Sequence, residues 1–159
     1  MIYFWDTEAD GFLEDASKIH CFSWKALGED KVHSSKFDLD IFTEKGDTWI
    51  AHNQFGYDLP LMQKLGLING FTADGIIGVD GSFVEMQFID TLALSREWFP
   101  DLPRGHGLKP WSEYLGTYKP HIDDWHNLEL EEYIQRCEED VITTEQVFLY
   151  LADKLEIEI

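Results

Sequence analysis

The apolar run Ile-Tyr-Phe-Trp at residues 2–5 constrains the fold of this 159-residue chain more than any other feature. A strand that is apolar at every position has to be buried on both faces, as a central strand is when helices cover both sides of its sheet. The run therefore predicts a central strand close to the start of the chain.

Two carboxylates follow this strand directly. Asp6 and Glu8 are two residues apart, and residues two apart in a strand point to the same face. Like charges held a few ångströms apart are unfavourable unless a cation lies between them. The pair therefore predicts a cation at the strand end and raises the question of where its other ligands lie.

The rest of the chain predicts strands first and then alternating helices and strands. Residues 1–42 fit an antiparallel meander whose later strands are KIHCFSWKAL and VHSSKFDLDIF. TWIAHN predicts a strand, YDLPLMQKLGL a helix with Gly66 at its C-cap, and GIIGVDGSFVEMQFI two strands joined by an Asp-Gly turn. DTLALSREWF and LKPWSEYLG predict short helices, and residues 129–155 a long one. We expect a single α/β domain over residues 1–159, with mixed strand directions.

Charge and composition narrow the possible partners. The chain has 12 Lys and Arg against 31 Asp and Glu, a net charge of −19, which argues against tight binding to a long duplex. The acids are either a solvated surface or are concentrated where divalent cations reverse the local electrostatics. Two cysteines and no signal-like or membrane-spanning apolar stretch lead us to expect a soluble cytoplasmic protein, or one in the host cytoplasm if phage-encoded.

Two further acids are candidate ligands. Asp58 lies at the predicted start of the helix after TWIAHN, where the helix dipole favours a carboxylate. Asp140 lies on the inward face of the last helix, and a buried acid needs a partner or a metal. Together with Asp6 and Glu8 they would form a hard-oxygen site for Mg²⁺ or Mn²⁺. Two such ions about 3.5–4 Å apart support in-line phosphoryl displacement.

The segments FWDTEADG, AHNQFGYD and CEEDV resemble the three motifs of the DEDD 3′–5′ exonucleases, and are most similar to those of the proofreading domains of bacteriophage family A DNA polymerases. The likeness extends to SKIHCFSW, FIDTLALSREWFP and GHGLKPWSEYLG, and so to nearly the whole chain. It implies an RNase H-like fold, a mixed five-stranded sheet flanked by helices, with the active site at the carboxyl ends of the central strands. It also implies that Asp6, Glu8 and Asp140 hold two metal ions and that Asp58 supports a metal through water.

The resemblance breaks at the residue that activates water. The family places a tyrosine four residues, or a histidine five residues, before the last aspartate, and here those positions are Arg136 and Gln135. We favour Tyr133 for orienting the water, since it lies on nearly the same helix face as Asp140. Arg136 cannot take a proton, but it could stabilise charge on the phosphate. Other candidate bases are His106 and His121.

Substrate contacts are predicted on the loops beside these acids. The resemblance implies that Phe12 and Leu13 wedge against the terminal bases, whereas such residues more often pack a turn. Asn53 would contact substrate or orient its loop, and Tyr57 would pack beside Asp58; both also suit plain loop and helix-entry roles. His106 is a further candidate substrate contact.

We therefore expect a metal-dependent 3′–5′ exonuclease that releases nucleoside 5′-monophosphates from single-stranded DNA. It would act alone, or proofread in trans for a polymerase or another replication protein, with no membrane partner. An RNA substrate is a close variant. The alternative from another class is a catalytically idle, acidic RNase H-like interaction protein that mimics nucleic acid, for which Arg136 is the best support and the four acids the best counter-argument.

Overall fold

The structure, a computed structural model, describes residues 1–45, 48–116 and 128–157. The strands are β1 (Ile2–Ala9), β2 (Ile19–Ala26), β3 (His33–Ser35), β4 (Thr48–Ala51), β5 (Gly70–Thr72), β6 (Gly75–Ile77), β7 (Phe83–Glu85) and β8 (Gln87–Asp90). The helices are α1 (Leu39–Lys45), α2 (Leu59–Lys64), α3 (Thr91–Trp98), α4 (Leu108–Leu115) and α5 (Leu130–Lys154). A π-helical turn, Gln54–Asp58, leads directly into α2.

The main sheet has five strands in the order β3-β2-β1-β4-β8, with β1 at its centre. β1 is antiparallel to β2 and parallel to β4, and β4 is parallel to β8. The predictions of a central first strand and of a mixed five-stranded α/β sheet are confirmed. Because β1, β4 and β8 are parallel, their carboxyl ends meet at one edge of the sheet, and this edge carries the residues discussed below.

The two faces of β1 pack against different helices. Tyr3 and Trp5 lie in an aromatic core with residues of β2, β4, α1 and α2, among them Phe22, Phe42, Trp49, Leu59 and Met62. Phe4 points the other way and packs against Ile50 and, from α5, Val141 and Phe148. The apolar run is thus buried on both sides because helices cover both faces of the sheet.

Helix α5 is fastened to the sheet by polar contacts as well as by packing. The Lys25 ammonium of β2 contacts both carboxylate oxygens of Glu145 at 2.7 Å, and Ser34 of β3 donates to Glu138 at 2.7 Å. The long helix predicted at residues 129–155 is confirmed as Leu130–Lys154. None of the described helices combines the length and apolar composition that crossing a membrane requires.

The predicted third strand is wrong over most of its length. Only His33–Ser35 is extended, and Leu39–Lys45 is a helix. The Asp38 carboxylate accepts from the backbone N–H of Asp40 at 2.9 Å, which favours a turn entering a helix. Phe42 then inserts between Trp5 and Trp49, with ring centroids 5.0 and 4.4 Å away. This tertiary packing outweighs the two-residue alternation of the segment.

Residues 70–85 form a second sheet, with the order β5-β6-β7, that the sequence analysis predicted only in part. The Asp-Gly hairpin is confirmed, since β6 and β7 pair on either side of Asp80 and Gly81, and Gly81 has a φ of +85°. The strand β5 was missed, because three residues are too few to show a pattern. The Gly66 C-cap is confirmed by its φ of +75°.

Candidate active site

Three carboxylates meet at the carboxyl end of β1. One carboxylate oxygen from each of Asp6, Glu8 and Asp140 lies within 4.8 Å of the corresponding oxygens of the other two. Asp6 and Glu8 are half-buried on the β1 face that α5 covers, and Asp140, in the middle of α5, is 8% exposed. The Cys137 thiol, one helical turn before Asp140, donates to the backbone carbonyl of Asp6 at 3.2 Å and holds the helix close to the strand.

This group fits a hard divalent cation. Carboxylate oxygens are the ligands that Mg²⁺ and Mn²⁺ prefer, and oxygens on opposite sides of one Mg²⁺ ion lie about 4 Å apart. Three carboxylates this close repel one another, and a cation between them offsets that repulsion. The fold therefore brings together three of the four acids that the sequence predicts as ligands.

Asp58 lies outside this group. Its carboxylate accepts a hydrogen bond from the Thr7 hydroxyl at 2.5 Å, and it is only 2% exposed. Thr7 stands between Asp6 and Glu8 in β1 and so points to the opposite face of the sheet. Burial raises the pKa of Asp58 to about 7, against the lowering effect of the Thr7 bond. Support of a metal by Asp58 through water stays a prediction.

The segment after β4 is held by Asp90, a residue that the sequence analysis did not select. The Asp90 carboxylate accepts from the backbone N–H groups of Asn53 at 2.8 Å, Phe55 at 3.2 Å and Leu92 at 3.0 Å. Asn53 adopts the left-handed backbone conformation, with a φ of +68°. Its side-chain oxygen lies so close to Gly56 that a Cβ there would be only 2.4 Å away, so the turn requires glycine at this position. The signal that could have identified Asp90 is its position directly before α3, where an aspartate caps a helix.

The β1–β2 loop presents Phe12 to solvent. Phe12 is 82% exposed and Leu13 is half-buried. The Tyr57 hydroxyl donates to the Gly11 carbonyl at 2.6 Å, so this side chain holds the loop. Burial, followed by the charges of Asp58 and Glu8, raises the pKa of Tyr57 well above its usual value and keeps its hydroxyl a donor.

Tyr133 and Arg136 are both buried in α5. Tyr133, 4% exposed, stacks on His20 with ring centroids 4.1 Å apart, beside Cys21 and Cys137. The Arg136 guanidinium lies 3.5 Å from Glu139. Burial raises the pKa of the Cys137 thiol well above its ordinary value. The two cysteines are small core residues, as predicted, and both are free thiols.

His106 belongs to a polar network beside the ends of β4 and β8. Its Nδ1 lies 2.6 Å from the Ser95 hydroxyl, and Trp111 donates to that hydroxyl at 2.8 Å. Because an indole can only donate, the Ser95 oxygen accepts from Trp111 while it also contacts the His106 ring. His121 lies outside the described residues.

The sequence matches no protein-family model and no curated protein. Solved structures do match. NrnC from Brucella melitensis bound to pGG has a TM-score of 0.66 and 18% identity, over 98% of this chain and 73% of NrnC. NrnC with bound Mg²⁺ matches at 16% identity with the same TM-score and coverage.

Two other solved structures show the same fold. Phi29 DNA polymerase complexed with primer-template DNA matches at 13% identity and a TM-score of 0.63, over 99% of this chain and 32% of the polymerase. Exonuclease X in complex with 5′-overhanging duplex DNA matches at 11% identity and a TM-score of 0.60, over 99% of this chain and 95% of its own. The predicted RNase H-like exonuclease fold is confirmed.

Proposed function

We propose that this protein is a metal-dependent 3′–5′ exonuclease that releases nucleoside 5′-monophosphates from single-stranded DNA. The observation that carries the proposal is the convergence of Asp6, Glu8 and Asp140 at the end of the central strand, in a fold shared with nucleases. One oxygen from each of the three carboxylates lies within 4.8 Å of the others, which is close enough for them to share a divalent cation.

The three carboxylates would hold two Mg²⁺ or Mn²⁺ ions, with Asp58 acting through water. When bound, such ions lower the pKa of a water molecule and offset charge on the phosphate. Phe12 and Leu13 would contact the terminal base, and Asn53 the strand beside it. His106 would be a further contact to the substrate. Tyr133 would orient the attacking water from the α5 face that carries Cys137, and buried Arg136 would supply positive charge near the acids.

The acidic balance of the chain, 12 Lys and Arg against 31 Asp and Glu, determines how it would bind nucleic acid. Two of the basic side chains form ion pairs within the protein: Lys25 with Glu145, and Arg104 with Glu113. Substrate would therefore be held by metal ions, aromatic stacking and a few polar groups rather than by a basic groove. Binding should be weak and metal-dependent, which suits single-stranded ends. The enzyme would work alone or proofread in trans for a polymerase.

RNA is the close variant of this proposal. One similar structure, NrnC, was solved with pGG, and the sequence identifies no residue that contacts a 2′-hydroxyl. A second function class is a catalytically idle acidic interaction protein. It is favoured by Arg136 at the position where the resembled family has tyrosine, and by the charge of −19.

A gel time course tests these proposals. A 5′-labelled single strand of about 20 nucleotides, long enough to cover a full binding site, is incubated with Mg²⁺, Mn²⁺ or chelator, alongside the matched RNA. We expect a metal-dependent ladder that shortens from the 3′ end. Asp6→Ala should abolish it, and Asp30→Ala, the same charge change in the β2–β3 connection, should not. An uncut strand under every metal would favour the interaction protein.

A further inference from the structure

The loop between β1 and β2 is held by two side chains from the helical segment that follows β4. Tyr57 donates to the Gly11 carbonyl at 2.6 Å, and the Lys64 ammonium donates to the carbonyls of Leu13 at 2.7 Å and Glu14 at 2.8 Å. Tyr57 and Lys64 are seven residues apart, about two helical turns, and so lie on one face of the segment. We call these two residues the loop clamp.

The loop is also closed from within. The backbone N–H groups of Asp15 and Ala16 donate to the Phe12 carbonyl at 2.9 and 2.8 Å, which makes one tight turn. The Asp10 carboxylate closes the base of the loop by accepting from the backbone N–H groups of Ser17 and Lys18. The carbonyls that Lys64 contacts belong to this turn, where an ammonium satisfies both of them at once.

The loop clamp lies on both sides of Phe12, the one aromatic residue of the loop. The carbonyl before Phe12 is held by Tyr57, and the carbonyl after it is held by Lys64. The Phe12 ring is 82% exposed although its backbone is fixed on both sides. A ring whose backbone is already ordered loses less conformational freedom when a base stacks on it, so affinity improves without a new contact.

We propose that Lys64 is a positioning residue for the substrate: by fixing Leu13 and Glu14 it holds Phe12 in place to stack on the terminal base. The inference rests on the proposed exonuclease function. Lys64 acts through Phe12 and not on the scissile phosphate. Its removal should therefore weaken substrate binding and leave the chemical step unchanged.

Steady-state kinetics on single-stranded DNA test this role. For Lys64→Met we expect KM to rise about threefold with kcat unchanged. A change of this size corresponds to losing part of the free energy with which one base stacks on an aromatic ring. Lys64→Arg keeps a cationic donor and should restore KM. Lys31→Met, the same charge change at the opposite end of β1, should match the wild type. Far-UV circular dichroism checks that each variant is folded.

The decisive comparison is a double mutant. If Lys64 acts through Phe12, Lys64→Met should add little to the KM of Phe12→Ala, because coupled residues are not additive. An oligonucleotide with 2-aminopurine at its 3′ end, bound to Asp6→Asn protein to prevent cleavage, reports stacking directly. Its fluorescence quenching should weaken in the Lys64→Met background and recover with Lys64→Arg.

Three results would overturn the positioning role. The first is a double mutant whose rise in KM is the product of the rises for Lys64→Met and Phe12→Ala. The others are a Lys64→Met variant whose kcat falls at constant KM, or one whose kinetics match those of Lys31→Met. Each of these leaves the exonuclease proposal intact as long as the wild type cleaves DNA with metal and Asp6→Ala does not. A wild type that cleaves nothing would remove both proposals together.

Discussion

The two faces of strand β1 end in opposite ways. On the face that α5 covers, the apolar Phe4 is followed by Asp6 and Glu8, which meet Asp140 in a group of three carboxylates. On the other face, Trp5 donates to Gln54 at 2.9 Å and Thr7 donates to Asp58 at 2.5 Å. One face thus concentrates charge at the edge of the sheet, and the other uses its polar groups to connect β1 to the segment after β4.

Under the proposed function, one strand would serve chemistry on one face and stability on the other. The acids on the α5 face repel each other, so that face gains from an added cation. The acid on the other face is paired with a hydroxyl and has a pKa of about 7, so it needs no cation to remain buried. Changes on the first face should mainly alter activity, and changes at Trp5 and Thr7 on the second should mainly alter stability.

The largest effect is expected for Asp6→Ala. Loss of one carboxylate from the group should lower kcat/KM on the order of a thousandfold, since a metal supplies several kcal/mol of transition-state stabilisation. Addition of Mn²⁺ should raise the melting temperature of the wild type only. Equal metal responses in both proteins would contradict the metal site.

The second largest effect is a pH dependence of stability that comes from Asp58, on the opposite face of β1. The folded-state pKa of Asp58, about 7, lies above its ordinary value of 3.8, so the folded protein retains a proton that the unfolded chain releases. This contribution is fully present below about pH 4 and is lost as the pH rises through 7. Between pH 5 and pH 8 it should be worth on the order of 2 kcal/mol.

Chemical denaturation in chelator measures this contribution. Asp58→Asn cannot titrate at this position. Between pH 5 and pH 8, the free energy of unfolding should therefore fall further for the wild type than for Asp58→Asn, by on the order of 2 kcal/mol. Parallel pH profiles for the two proteins would show that Asp58 is ionised in the fold.

A smaller loss of stability is expected for Thr7→Val. The substitution keeps the side-chain shape and removes the hydroxyl that Asp58 accepts from, so unfolding should become easier by about 1.5 kcal/mol. Thr7→Ser retains the donor and serves as the matched control. Metal-dependent cleavage at a temperature where both variants are folded should persist. Loss of activity in Thr7→Val but not in Thr7→Ser would mean that the two faces are coupled.

The smallest effect is expected at Phe12, which lies in the β1–β2 loop and outside the group of three acids. Phe12→Ala should raise KM about fivefold and leave kcat unchanged, which is the lower limit for loss of stacking on one base. Phe12→Trp should keep or lower KM. Initial rates over a range of oligonucleotide concentrations distinguish these outcomes. An unchanged KM in both variants would remove Phe12 from the substrate site.

Local patterns were enough to predict most elements and three of the acids. The apolar run at residues 2–5 and the period of α5 are strong signals, and they place Asp6, Glu8 and Asp140 on facing surfaces. The helix at Leu39–Lys45 was missed because its order depends on Phe42 inserting between two tryptophans distant in sequence. Such packing leaves no periodicity in the segment itself.

The residues whose partners lie across the sheet were the hardest to predict. The sequence shows that Asp58 begins a helix but not that its carboxylate faces Thr7 across 51 residues. Periodicity gave the inward face of Tyr133 but not its stacking on His20. Asp90 escaped notice because its three backbone donors come from two separate segments. A role for any of these residues depends on tertiary contacts, which a single sequence does not display.

Helix α5 carries both Asp140 and the apolar side chains that cover Phe4, and Cys137 joins it to the Asp6 carbonyl. Completion of the hydrophobic core and assembly of the carboxylate group are therefore the same event in folding. A newly made chain possesses Asp6 and Glu8 long before Asp140 reaches them. If the group is what hydrolyses nucleic acid, the site is incomplete until α5 has packed against β1.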